Sequence, residues 1–246
     1  MIRMIIVLLG VGLFFLISLP VLGITFIINK ISPGRASLAE LRFVEYGFRM
    51  VNLISGHKID IIGLENIPED KAVLFVGNHR GFFDVITSYA YMPNLTGYVA
   101  KKSFRKVPFL GFIMQRINCL FMDREDPKQS MKTITKMTEN IQNGISMFIY
   151  PEGTRNHDPV EWNLLPMHRG SFKPAQRAKC PIVPVAVSHS DRALENCFPR
   201  IKPTHIVLRF GSPFCYADLS EEDRKNIEVY TSGIISEMLK LNEELQ

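Results

Sequence analysis

The chain has four cysteines in 246 residues, and none forms a C-x-x-C pair or stands beside a histidine at zinc-ligand spacing. That excludes a structural zinc site and a small disulfide-stapled scaffold, and leaves Cys119, Cys180, Cys197 and Cys215 as reduced, mostly buried thiols. No metal site is expected. G-x-S-x-G, H-E-x-x-H, the glycine-rich phosphate loop ending in Gly-Lys and the dinucleotide-binding glycine fingerprint are also missing. Their absence removes the motif-based hydrolase, zinc protease, kinase and dehydrogenase readings. Internal repeats and low-complexity linkers are absent too. A net charge of +5 and a pI near 9.0 point to anionic partners such as phosphate esters or lipid headgroups. Neither an aromatic stacking block nor a helix-turn-helix pattern accompanies that charge, so nucleic acid is not an expected partner.

What is present begins with residues 5–28, "IIVLLGVGLFFLISLPVLGITFII", which hold no charged residue. As one helix they would be about 36 Å long, enough to cross a bilayer. The run is longer than the apolar core of a secretory signal, and no small-x-small cleavage site follows it, so it reads as a retained anchor. Arg3 precedes the run, while Lys30, Arg35, Arg42 and Arg49 follow it, which places the body of the protein on the cytoplasmic side of the cell membrane. Pro20, Gly10, Gly12 and Gly23 leave open a second form, a shallow interfacial hairpin. Next, "SLAELRFVEYGFRMVNLISG" spaces Leu38, Leu41, Val44, Phe48, Val51 and Leu53 as one face of an amphipathic helix. Residues 1–57 are thus expected to form an anchoring helical segment, and 58–246 one domain.

In that domain, short apolar runs alternate with helical patterns. The runs are "AVLFVG" (72–77), "TGYVAK" (96–101), "NCLFMDR" (118–124), "ISMFIYP" (145–151), "PIVPVAV" (181–187) and "HIVLRFG" (205–211). A helix is predicted between the third and fourth, ending at Asn143-Gly144, and another from Ser220 toward the C-terminus. Alternation of this kind predicts an α/β fold, a mostly parallel sheet covered by helices. Ligands of such sheets gather beyond the carboxyl ends of the strands, where "GNHRGFFD", "DRED" and "PEGTRN" each follow an apolar run.

His79 and Asp84 are five apart, about 140° around a straight helix, so they meet only across a turn. Gly81 supplies one, after which Phe82 and Phe83 are expected to pack inward and Asp84 to reach back to the imidazole. A carboxylate so placed fixes the tautomer and stabilises the imidazolium. With no serine nucleophile in view, such a dyad suits direct activation of a substrate hydroxyl. "YPEGTRN" is a tight turn presenting Glu152, Thr154 and Arg155, and a guanidinium fits phosphate through a planar fork. "VAKKSFRKVPFLG" adds Lys101, Lys102, Arg105 and Lys106, and "FMDRED" adds Arg124; one or two of these five are expected to touch substrate.

Taken in order, "NHRGFFD", "AKKSFRKVPFLG" with "FMDR", "YPEGTR" and "IVPVAV" resemble the four motif blocks of the glycerolipid acyltransferases. Over residues 60–215 the chain is most similar to the bacterial 1-acylglycerol-3-phosphate (lysophosphatidate) acyltransferases. The resemblance implies transfer of a fatty acyl group from a thioester to the sn-2 hydroxyl of lysophosphatidate, giving phosphatidate. It implies His79 as general base and Asp84 as its orienting partner. Glu152, Gly153, Thr154, Arg155 and Arg124 would bind the glycerol phosphate with help from Lys101, while "IVPVAV" would line the acyl site. Backbone N–H groups near Gly153 would meet the oxyanion. No cofactor is implied beyond the donor, acyl-CoA or acyl-acyl carrier protein, and the acceptor is a membrane lipid. The departure is Gly81, where many members have Ser. Two alternatives stay open: a glycerol-3-phosphate or other lysophospholipid acyltransferase, and a non-catalytic basic protein that docks on membranes.

Overall fold

The centre of the sheet is built from strands that carry no charged residue. In the computed structural model, which describes residues 1–245, β2 (Leu74–Gly77), β5 (Ser146–Ile149) and β6 (Ile182–Ser188) are buried at every position. A strand covered on both faces needs that freedom from charge. Side chains alternate across it: Leu74, Val76, Met147 and Ile149 enter one core, Phe75 and Phe148 the other. With β1 (Lys58–Ile62), β3 (Thr96–Lys101), β4 (Leu120–Met122) and β7 (His205–Phe210) they form seven strands in the order β1-β7-β6-β2-β5-β3-β4. All pairings are parallel except β6 with β7. The five strands from β6 to β4 therefore end on one edge.

Helices cover both faces. Against Leu74, Met147 and Ile149 lie α5 (Pro127–Gln142), α6 (Lys173–Ala178) and α8 (Ile227–Glu243), through Ile134, Met137, Ala175, Ile235 and Leu239. Asp126 starts α5 by accepting from the N–H groups of Lys128 and Gln129 at 2.9 and 3.1 Å. The opposite core, around Phe75, Phe148 and Tyr98, is closed by α2 (Pro33–Ser55), α3 (Phe82–Ala90) and α4 (Leu110–Arg116). Removing a ring such as Phe75, which is fully buried, would cost about 3–5 kcal/mol.

α1 (Ile2–Ile31) is, among the described residues, the one helix long and apolar enough to cross a membrane. It runs unbroken through Pro20. One residue, Ser32, separates it from α2, and the two lie antiparallel: Phe14 stacks on Phe43 at 4.7 Å, and Thr25 donates to Glu40 at 2.5 Å. Glu40 also pairs with Arg116 of α4, so the buried carboxylate is matched by a guanidinium rather than left bare. Val7 of α1 shares the core of Leu41, Val44 and Tyr89, whereas Leu9, Leu16, Ile24 and Ile27 face outward. α2 ends at Gly56, whose φ of 75° is the left-handed turn that glycine takes most easily.

Two details differ from the sequence reading. "KIDII" (58–62) forms a strand that the apolar runs did not mark, because it is half-exposed and carries Lys58 and Asp60. The C-terminal helix is two: α7 (Glu221–Lys225), started by Ser220 accepting from the Asp223 N–H at 3.1 Å, and α8 beyond Asn226.

Candidate active site

His79 stands just past β2, after Asn78, and Asp84 is the third residue of α3. The turn between them brings His79 Nδ1 to 2.8 Å from Asp84 Oδ2. A carboxylate accepts, so Nδ1 carries the proton and Nε2 keeps the lone pair. Asp84 is fully buried and its acceptors are well used. Oδ2 also takes the N–H groups of Arg80 at 2.5 Å and Gly81 at 2.8 Å, while Oδ1 takes the hydroxyl of Ser190, which stands just past β6. These N–H groups open α3, so Asp84 caps a helix and aims an imidazole at once. On its other side the imidazole stacks on Tyr150 with ring centres 4.5 Å apart. Only Phe83 packs inward as expected; Phe82 stays exposed beneath the Arg155 guanidinium, 4.1 Å from its ring centre.

Two links hold the strand end carrying His79. Asn78 donates to the Val187 carbonyl at 3.0 Å and accepts its N–H at 2.9 Å, pinning β2 to β6. Glu152 accepts the His79 N–H and the Leu165 N–H, each at 2.9 Å. Its carboxylate is buried and accepts from backbone on both oxygens, which makes Glu152 a brace for His79. Burial pushes its pKa up, and the two N–H groups pull the other way. Behind the dyad, Arg80 is buried with Asp191 at 2.7 Å and donates to the Asp158 carbonyl at 2.9 Å.

The other candidates lie on the same edge. Lys101 ends β3 beside Met122 of β4, and Arg124 follows two residues later, both exposed. Arg124 reaches the turn after β5: its Nη1 is 3.6 Å from where a Cβ on Gly153 would stand. Gly153 has φ of 78°, and a Cβ there would also press to 3.1 Å on His168 Nε2. Thr154 is exposed, and Arg155 is half-buried, 3.5 Å from Glu195. Arg124, Arg155 and His168 thus gather around one turn beyond the His–Asp pair, an arrangement suited to an anion.

Two expectations of the sequence are corrected. Of the backbone N–H groups near Gly153 expected to meet an oxyanion, Gly153's own is used inside the turn, donating to Tyr150 O at 3.2 Å. "IVPVAV" is the centre of the sheet, buried throughout between β2 and β7, so it supports the site instead of lining a chamber. Ser190, Glu195 and His168 were not picked out from the sequence. They lie roughly a hundred residues beyond His79, and no local pattern marks them.

Comparison with known proteins shows the family and the fold. A family model described as Acyltransferase matches residues 58–188. The chain is 28% identical over 190 residues to a 1-acyl-sn-glycerol-3-phosphate acyltransferase of Saccharomyces cerevisiae, covering 77% of this chain and 62% of the relative. It is 32% identical over 204 residues to a probable 1-acyl-sn-glycerol-3-phosphate acyltransferase of Mycoplasma pneumoniae, covering 76% and 74%. The chain therefore spans less than two thirds of the yeast relative's length. Its fold is that of the crystal structure of the 1-acyl-sn-glycerophosphate acyltransferase from Thermotoga maritima, at a TM-score of 0.76, 20% identity and 98% coverage of each chain.

Proposed function

This chain belongs to the Acyltransferase family, and we propose that it transfers a fatty acyl group from a thioester to the sn-2 hydroxyl of lysophosphatidate, giving phosphatidate. The observation that carries the reading is the 2.8 Å contact of His79 Nδ1 with Asp84, next to the turn that carries Arg155 and that Arg124 reaches. His79 Nε2 takes the hydroxyl proton as that oxygen attacks the thioester carbonyl. The C–S bond then breaks, and the imidazolium returns its proton to the leaving thiolate. Asp84 holds the ring in one tautomer throughout. Arg155 and Arg124 grip the acceptor phosphate, and Lys101, at the end of β3, adds positive charge to the same rim. The donor is an acyl thioester of coenzyme A or of acyl carrier protein, with no further cofactor. The outward apolar residues of α1 hold the body at the membrane, on the cytoplasmic side given the cations that follow the apolar run.

The test is an assay of the purified protein with both donors against lysophosphatidate and glycerol 3-phosphate, with His79→Ala alongside. Phosphatidate from lysophosphatidate, lowered about 10²- to 10⁴-fold in the variant, is expected. Equal rates with and without the imidazole would exclude His79 as the base, and product from glycerol 3-phosphate alone would move the activity to the other acceptor.

A further inference from the structure

Gly81 has no backbone reason to be glycine, since its φ of −160° is open to any residue. What excludes a side chain there is Glu195. A Cβ on Gly81 would stand 2.7 Å from Glu195 Cδ and overlap its Oε2. The Glu195 carboxylate fills the gap at the start of α3 and accepts the Phe82 N–H at 2.8 Å. The same Oε1 lies 3.5 Å from Arg155 Nη1, and the guanidinium rests flat on Phe82. Only 10% of the Glu195 side chain is exposed, and its Oε2 is buried with no hydrogen-bond partner among the described residues. A buried carboxylate oxygen kept without a donor is costly, so the position is held for something other than stability.

We infer that Glu195 is a positioning residue for the acceptor, fixing the Arg155 guanidinium against the helix that carries Asp84 so that the phosphate grip is preformed before the acceptor arrives. Gly81 is the opening that lets it reach. This rests on the proposed role of Arg155 in holding phosphate. One carboxylate touches both partners, the first N–H of the dyad's helix and the arginine of the turn after β5. No other side chain at the site makes both contacts among the described residues. A guanidinium tied at one end and stacked on a ring has little freedom left to lose when an anion arrives.

The test compares Glu195→Ala and Glu195→Gln in the full chain, with folding checked by thermal melting and Arg155→Gln measured in parallel. Glu195→Ala is expected to raise KM for lysophosphatidate about fivefold or more, with kcat and donor KM within about twofold, a split that simple loss of folded protein does not produce. Glu195→Gln keeps the shape and the Phe82 contact but not the charge, so its KM is expected to rise less. It also reports if the Ala variant fails to fold. Gly81→Ala should damage activity in the natural background yet add nothing to Glu195→Ala. An unchanged or lowered KM in both Glu195 variants, while Arg155→Gln raises it, overturns the inference alone. No effect of Arg155→Gln overturns the phosphate role on which it stands, and the inference with it.

Discussion

Burial can be read from one imidazole outside the site. His57, between α2 and β1, packs its ring edge-on to Phe83 and accepts the Thr204 N–H at 3.2 Å through Nδ1, while its Nε2 is buried without a hydrogen-bond partner among the described residues. Desolvation, with the charge of Arg3 nearby, pulls its pKa down to about 4. The unfolded chain therefore binds more protons than the folded one between about pH 6.5 and 4. Stability should be complete above that window and fall as pH drops through it. Denaturant titrations at pH 7, 5.5 and 4.5 should show the decline, and His57→Gln should flatten it. At the same scale, the site was only partly legible. His79, Asp84 and Arg155 announced themselves because polar residues directly after an apolar run are conspicuous. A buried Glu152 was not legible, because a turn carboxylate looks the same in sequence whether it faces solvent or backbone; its two backbone donors show that it braces His79.

Elements were more legible than residues, because six of the seven strands fall in predominantly apolar runs, and the three central ones, buried on both faces, have nowhere to hide a charge. β1 escaped, being half-exposed, and so did the reversal of β7 relative to β6, since strand direction leaves no mark on composition. Pairing of the first two helices depends on Gly47, where a Cβ would stand 2.7 Å from Phe14 Cδ2. Gly47→Leu should force the helices apart and cost about 1–3 kcal/mol, measured as a lowered denaturation midpoint. Phe14→Ala should restore part of the loss, because the collision is with that ring.

For the whole molecule, the outward face of α1 separates folding from location. Leu16, Ile24 and Ile27 are exposed, so replacing them with Lys should leave stability within about 0.5 kcal/mol while abolishing flotation with phospholipid vesicles. Flotation equal to that of the natural chain would show that other surfaces hold it to lipid. The reversal of β7 has an effect beyond the sheet. Val207 pairs with Ser188, and β1 runs alongside β7, so Lys58 and Gly56 come to the rim where β2 presents His79; Arg3 sits beside Gly56. The hairpin therefore starts and finishes next to the chemistry, with its bend at Ser32 the far point. On the proposed activity, a one-chained lipid arrives by sliding sideways within its leaflet and the two-chained product leaves the same way, so turnover follows the crowding of substrate in two dimensions rather than its amount in the surrounding volume.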